Sequence, residues 1–321
     1  MVAGSGSDGV GRAYPGTWPE FLAWFPDEPA CARYLERLRW PEGIVCRACG
    51  ERRGWRTGAG RWWVCAGCSL KTSVTAGTIF DKTRTPLPSW FGAAWFVTSQ
   101  KHGLSALGLQ RALGLGSYET AWMILHRLRV AMVRPGRERL QGSVEVDETY
   151  VGGAEAGVRG RQTQDKSIVA IAVEVRAPKG FGRVRLARVP DVSAASLIGF
   201  VEASVEPGAS VLTDGWRAYS ALPVHGYNHT KKTLSTSGDP AHVSMPAVHR
   251  VASLLKRWLL GTHQGSVSPE HLDAYLGEFT FRFNRRSSRR RGLLFYRLLE
   301  QAVLTPPTTY KQTIRRGRRR P

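Results

Sequence analysis

Residues 143–153 read SVEVDETYVGG. Val144 and Val146 alternate with polar neighbours, which is a strand pattern, and Asp147 falls inside that strand with Glu145 and Glu148 on either side of it. A carboxylate on a strand in apolar surroundings must be paired or hold a cation. Residues 210–219, SVLTDGWRAY, repeat the device: a short apolar strand ends at Asp214-Gly215. Asp-Gly alone is a turn signal. Two strand-borne aspartates, however, can meet across a sheet and share divalent ions. Two ions held about 3.5–4 Å apart activate a water and stabilise the leaving oxygen in phosphodiester cleavage. Magnesium favours such oxygen ligands.

Outward from this pair, residues 168–175 and 184–189 read as further strands, Ser193 caps a helix to about Ser204, and helices are predicted over about 244–260, 269–284 and 293–303. Strands followed by a strand–helix alternation predict a mixed α/β sheet flanked by helices. Residues 246–265, PAVHRVASLLKRWLLGTHQG, have apolar residues at helical spacing, yet His249 and Lys256 lie seven apart and share a side of the helix.

The N-terminal half reads differently. Cys46-x2-Cys49 and Cys65-x2-Cys68 are separated by fifteen residues, the spacing of a structural zinc site with four thiolates. Cys31 reads as a buried helical thiol rather than a fifth ligand. Residues 17–40 read as two short helices broken near Pro26 and Pro29. Residues 103–132, GLSALGLQRALGLGSYETAWMILHRLRVAM, have a helix, a Gly turn and a longer helix capped by Ser117. That is a helix-turn-helix outline, with Tyr118, Thr120, His126, Arg127 and Arg129 as DNA-contact candidates. A plain helical bundle with basic edges has the same pattern.

The charge narrows the partner. There are 46 Lys+Arg against 25 Asp+Glu, a surplus of +21 that calls for a polyanion, nucleic acid first. In the run FRFNRRSSRRRG, Arg285, Arg286, Arg289, Arg290 and Arg291 are candidates to follow backbone phosphate. Lys256 and Arg257 are candidates for the same on the late helix. No apolar run suggests a membrane span and no secretory signal is read, so a cytoplasmic, nucleoid-associated protein is expected.

Together the two CxxC pairs, VDETYVGG, TDGWRAY, GYNH, LLKRWLLGTHQG and the stretch from SVSPEHLDAYLGEF to FRFNRR resemble insertion-sequence transposases of the ISXO-like group, over about residues 17–310. The resemblance implies an N-terminal zinc ribbon and an RNase H-like catalytic domain of the DDE type. It implies Asp147 and Asp214 as ligands of magnesium or manganese, with His249 at the family's third position and Lys256 at its phosphate-contacting lysine. It also implies cleavage at element ends and joining of the 3′-hydroxyls to target DNA, by at least a dimer holding both ends. Relatives carry an acid or asparagine where this chain has His249. Either the imidazole serves the site, or the copy has lost activity and retains only DNA binding, or Asp239, Glu270 or Asn284 fills the role. The expected organisation is a disordered 1–16, helices in 17–40, a zinc ribbon in 41–80, the helix-turn-helix-like segment in 85–135, the catalytic domain in 140–305 and a basic tail in 306–321.

Overall fold

The computed structural model describes residues 13–58, 60–153, 166–176, 180–232, 244–265 and 267–315. Residues 1–12 of the expected disordered start, Asp239 and residues 316–321 of the basic tail lie outside these. The chain divides into two compact units, Met1–Ala131 with Ser288–Thr308, and Met132–Ser287 with Thr309–Pro321.

The first unit begins with α1 (Trp18–Trp24) and α2 (Glu28–Arg39). Thr17 caps α1, and Asp27 caps α2 by accepting the Ala30 N–H at 2.8 Å. Pro29 therefore opens the second helix rather than breaking it, because a proline in the first turn removes an N–H that has no helical acceptor. A three-stranded antiparallel sheet follows: β1 (Gly54–Thr57), β2 (Trp62–Cys65) and β3 (Lys71–Ser73). Helices α3 (Leu87–Ser99), α4 (Ala106–Leu113) and α5 (Tyr118–Ala131) come next. Ser105 accepts the Gly108 N–H to start α4, Gly114 ends it in the left-handed region at φ +61°, and Ser117 accepts the Thr120 N–H to start α5.

The core of this unit is aromatic. Phe21, Phe25, Tyr34, Phe91 and Trp95 surround Phe295, with ring centroids 5.6 Å apart for Phe21–Phe295 and 4.7 Å for Phe25–Phe91. Phe295 arrives on a helix from late in the chain, Arg291–Leu304, which packs on α2, α3 and α5. Residues 288–308 thus cluster with the N-terminal helices, although the sequence reading ran the catalytic domain to residue 305. Gly292 allows the contact, since a Cβ there would lie 1.7 Å from the Pro15 carbonyl oxygen.

The second unit is built on a five-stranded mixed sheet: β4 (Ser143–Val151), β5 (Ser167–Val175), β6 (Phe181–Val189), β7 (Ser210–Thr213) and β8 (Asn228–Lys231), in the order β6-β5-β4-β7-β8. The first three strands run antiparallel as consecutive neighbours, and β7 and β8 add parallel to β4. This is the RNase H-like sheet that the sequence resemblance implied. Helix α6 (Ala194–Ser204) buries Leu197 and Val201 on Val144, Val146, Ala170 and Ala172. On the opposite face, α7 (Pro246–His263) and α8 (Leu272–Phe283) bury Val248, Val251, Leu255 and Phe279 on Val169, Ile171 and Val173. Period-two alternation sorts the strand residues between these two cores. The late-chain helix of the first unit is α9, and a short helix, α10 (Tyr310–Arg315), follows it.

Candidate functional site

The ribbon's four thiols form one cluster. All four Sγ atoms lie within 4.8 Å of one another, with Cys46–Cys68 and Cys49–Cys65 each at 3.5 Å. Four thiolates at Zn–S distances of about 2.3 Å stand about 3.8 Å apart in a tetrahedron, so the set fits zinc. The turns aim backbone N–H groups at sulfur: Gly67 N–H donates to Cys65 Sγ at 3.3 Å. Backbone N–H groups of Ala48 and Cys49 bring the Cys46 thiol down to about 6. Among the described residues no other group of three or more metal-binding side chains converges this closely. Cys31 is fully buried in α2, and burial first, then Glu28 and Asp27, pushes its thiol well up.

The second group of candidates gathers on β4, β7 and α7. The register that pairs Ser143 with Ser210 and Glu145 with Leu212 carries Asp147 to the level of Asp214, one residue past the end of β7. Asp147 lies opposite Ile171, whose side chain belongs to the core under α7, so Asp147 faces α7. There His249 Nε2 stands 4.0 Å from Asp147 Oδ2, both side chains partly buried. Asp214 Oδ1 accepts the Trp216 N–H at 2.9 Å, which fixes its turn, and the Trp216 indole N–H donates to the Val192 carbonyl. Lys256 lies two turns beyond His249 on α7, exposed, with Arg257 exposed beside it. Partial desolvation of the amine, and then repulsion from Lys166, lowers the Lys256 pKa.

Two flanking acids have different tasks. Glu145 is buried and shares the α7 face with Asp147. Its Oε2 accepts the Val248 N–H at 2.9 Å, and the Ala247 N–H also bonds it. A strand carboxylate therefore caps the N-terminus of α7, where the N–H groups have no helical partner. Burial raises its pKa despite these bonds. The tie sets the depth and phase of α7, and thereby brings His249 against Asp147. The sequence reading had noted Glu145 only as a flanking acid; the usable signal is its spacing of two from Asp147, which puts both on one face. Glu148 points to the α6 side and accepts the Tyr219 hydroxyl at 3.2 Å. Burial, followed by the charges of Glu148, Asp147 and Asp214, holds that hydroxyl protonated far above its ordinary range.

The alternatives for the third role are placed elsewhere. Asn284 is spent on the edge strand, its Oδ1 accepting the Val184 N–H at 2.7 Å and its Nδ2 donating to the Val184 carbonyl at 3.1 Å. Glu270 is exposed in the turn before α8. His229, on β8, bonds Thr213 Oγ1 through Nε2 at 3.0 Å, and burial followed by Lys231 lowers its pKa.

The DNA-contact candidates divide. Tyr118 is exposed at the start of α5, and Thr120 bonds the Ser117 hydroxyl. His126 and Arg129 are buried, so they line the unit's interior rather than a docking surface. Arg127 donates to the carbonyls of Thr308, Ile79 and Asp81, three acceptors that tie α5 into the unit. Arg286 similarly bonds the carbonyls of Phe181, Gly182 and Phe283, and Arg285 lies 4.0 Å over the Phe281 ring. Arg289 and Arg290 are exposed, and Arg291, half-buried, is the first residue of α9.

Comparison with known proteins fits both halves. The ISXO2-like transposase domain matches residues 139–284, which hold the sheet, Asp147, Asp214 and His249. The transposase zinc-ribbon domain matches residues 26–71. The chain belongs to the ISXO2-like transposase family. It is 28% identical over 279 residues to a protein of transposable element ISH50 from Halobacterium salinarum, covering 80% of this chain and 91% of that one. It is 30% identical over 96 residues to a transposase-like protein from Haemophilus influenzae, covering 30% of this chain and 76% of that one. Membership in this transposase family implies a DNA-processing, DNA-binding enzyme. Among the described residues, no helix is long and apolar enough to cross a membrane.

Proposed function

We propose that the chain cleaves DNA at the ends of its element and joins the freed 3′-hydroxyls to target DNA. The observation that carries this reading is His249 Nε2 at 4.0 Å from Asp147 Oδ2 on the central strand, with Asp214 level with Asp147 on the parallel neighbour. Two carboxylates and an imidazole, partly open to solvent, suit divalent magnesium or manganese, and the imidazole tilts the preference toward manganese. Bound there, a pair of such ions would neutralise phosphate charge and lower the pKa of an attacking water. Asp147, Asp214 and His249 would hold them.

The chain's own residues supply the remainder. Lys256 holds a phosphate oxygen of the strand being cut. Instead of holding an ion, a neutral His249 imidazole would orient the attacking hydroxyl or take its proton. Both steps are in-line phosphoryl transfers, in which positioning and charge contribute most of the rate. Tyr118, Lys256, Arg257, Arg289 and Arg290 remain at the surface for duplex contact, and at least two copies hold the two ends near the nucleoid.

A plasmid assay with the element's flanking DNA as donor tests this. It compares wild type, Asp147→Ala, His249→Ala and His249→Glu, each in magnesium and in manganese. Joining is expected from wild type, with a loss of roughly a thousand-fold in both alanine variants. His249→Glu is expected to keep activity and shift it toward magnesium. End binding by wild type without any cleavage would instead identify a copy that only binds DNA.

A further inference from the structure

The second unit carries a second concentration of charge away from Asp147. Strand β6 is an edge of the sheet and bears Arg183, Arg185 and Arg188. The segment entering β4 adds Arg134 and Arg137. A recess of about 580 Å³ opens here, lined by Arg134, Arg137 and Arg185 together with Phe200, Ala203 and Ser204 of α6.

The arginines outnumber their acids. Arg183 pairs with Glu174 at 2.7 Å, and Arg134 with Glu138 at 2.5 Å. Arg185, at 6% exposure, donates to the Val184 and Glu138 carbonyls rather than to a carboxylate. Burial first, then the charges of Arg137 and Arg183, pull its pKa down to about 10. Arg137 is half-buried, burial lowers its pKa as well, and among the described residues no carboxylate reaches it. Two guanidinium groups are thus held close together and partly stripped of water, while the nearby acids Glu138 and Glu174 pair with Arg134 and Arg183. Such an arrangement is costly unless an anion completes it.

We propose that this recess, through half-buried Arg137 and exposed Arg134 with buried Arg185 adding charge behind them, binds the backbone phosphates of a DNA segment other than the one cut at Asp147. Guanidinium forks match phosphate oxygens in pairs. The sheet separates the two sites. Arg185 lies opposite Ala172, which packs under α6, whereas Asp147 lies opposite Ile171, which packs under α7. They therefore face opposite sides, two strands apart, or about 10 Å at strand spacing. A reaction that joins two DNA segments needs such a second hold, so the inference rests on the strand-transfer reading.

The test uses the full zinc-loaded chain and two duplexes, one with the element end and one of unrelated sequence, with affinity measured over a salt series. Arg137→Ala is expected to weaken the unrelated duplex more than the element-end duplex and to reduce the unrelated duplex's slope of log K on log salt by about 1, with unchanged melting and zinc content. Arg137→Lys, which keeps the charge but not the fork, should restore the slope and only part of the affinity. An unchanged slope and affinity in Arg137→Ala overturn the proposal. A second arm compares melting in inorganic phosphate and in chloride at equal ionic strength. Phosphate stabilisation that needs Arg137, with an unchanged DNA slope, would mark a free-anion site and also overturns it. The two readings fail separately: wild-type joining with an unchanged Arg137→Ala slope sinks only the recess, and a lost slope without any wild-type cleavage sinks only strand transfer.

Discussion

In the ribbon every Sγ lies within 4.8 Å of the other three, whereas in the sheet unit Asp147 and His249 stand 4.0 Å apart and no third donor joins them in so tight a cluster among the described residues. The first set is closed: four ligands from two turns leave no position for substrate. The second is open: its donors come from β4, the end of β7 and α7, far apart in sequence, and leave room for a phosphate. Structural and catalytic metal sites differ in this way generally. On the proposed function both kinds would stand in one chain, so each can be perturbed while the other serves as control.

The largest effect is expected at the closed site. Cys65→Ser should abolish stoichiometric zinc and lower the melting temperature of the ribbon-bearing unit, since zinc binding contributes roughly 10 kcal/mol or more in small zinc modules. Full zinc content in that variant would break the contrast. At the open site, Lys256→Ala should slow joining about 10–100-fold, the range for losing a hydrogen bond to a charged group, and leave zinc content and melting alone. Because partial desolvation and Lys166 lower the Lys256 pKa, wild-type joining should decline at high pH before an ordinary lysine would deprotonate, and Lys256→Arg should remove that decline. A decline that survives Lys256→Arg would assign it to another group.

The smallest effect is expected at Glu145. Burial raises its pKa, so the folded state binds the proton more tightly than the unfolded chain does. Its contribution to stability is then full below the ordinary carboxyl value of 4.5 and declines as pH rises through the raised value. Glu145→Gln keeps one acceptor for α7, should change stability by about 1 kcal/mol or less, and should flatten this slope in a melting-versus-pH series. Equal slopes in both proteins would remove Glu145 as its source.

Much of this was legible in the sequence. Cysteine spacing marked the ribbon, and the alternation of 143–151 and the short apolar strand before Asp214 marked the strands on which the open site stands. Asp147, inside a strand, and Asp214, at the end of another, were candidates in the sequence, and the family resemblance singled them out. What the pattern did not carry was long-range contact. His126, Arg127 and Arg129 have the look of a basic helix face, but the acceptors that hold Arg127 are carbonyls at 79, 81 and 308, which no local period encodes. Glu145 was hidden by the same limit, since its partners are N–H groups about a hundred positions later.

Phe295 lies at the centre of the first unit's aromatic core, although it is made after every strand of the second unit's sheet. During synthesis the N-terminal helices emerge with that place empty, and their packing waits until nearly the entire chain has left the ribosome. A product truncated before residue 291 therefore has neither a finished N-terminal core nor the Gly292–Pro15 contact, so it is a poor competitor of the full-length protein.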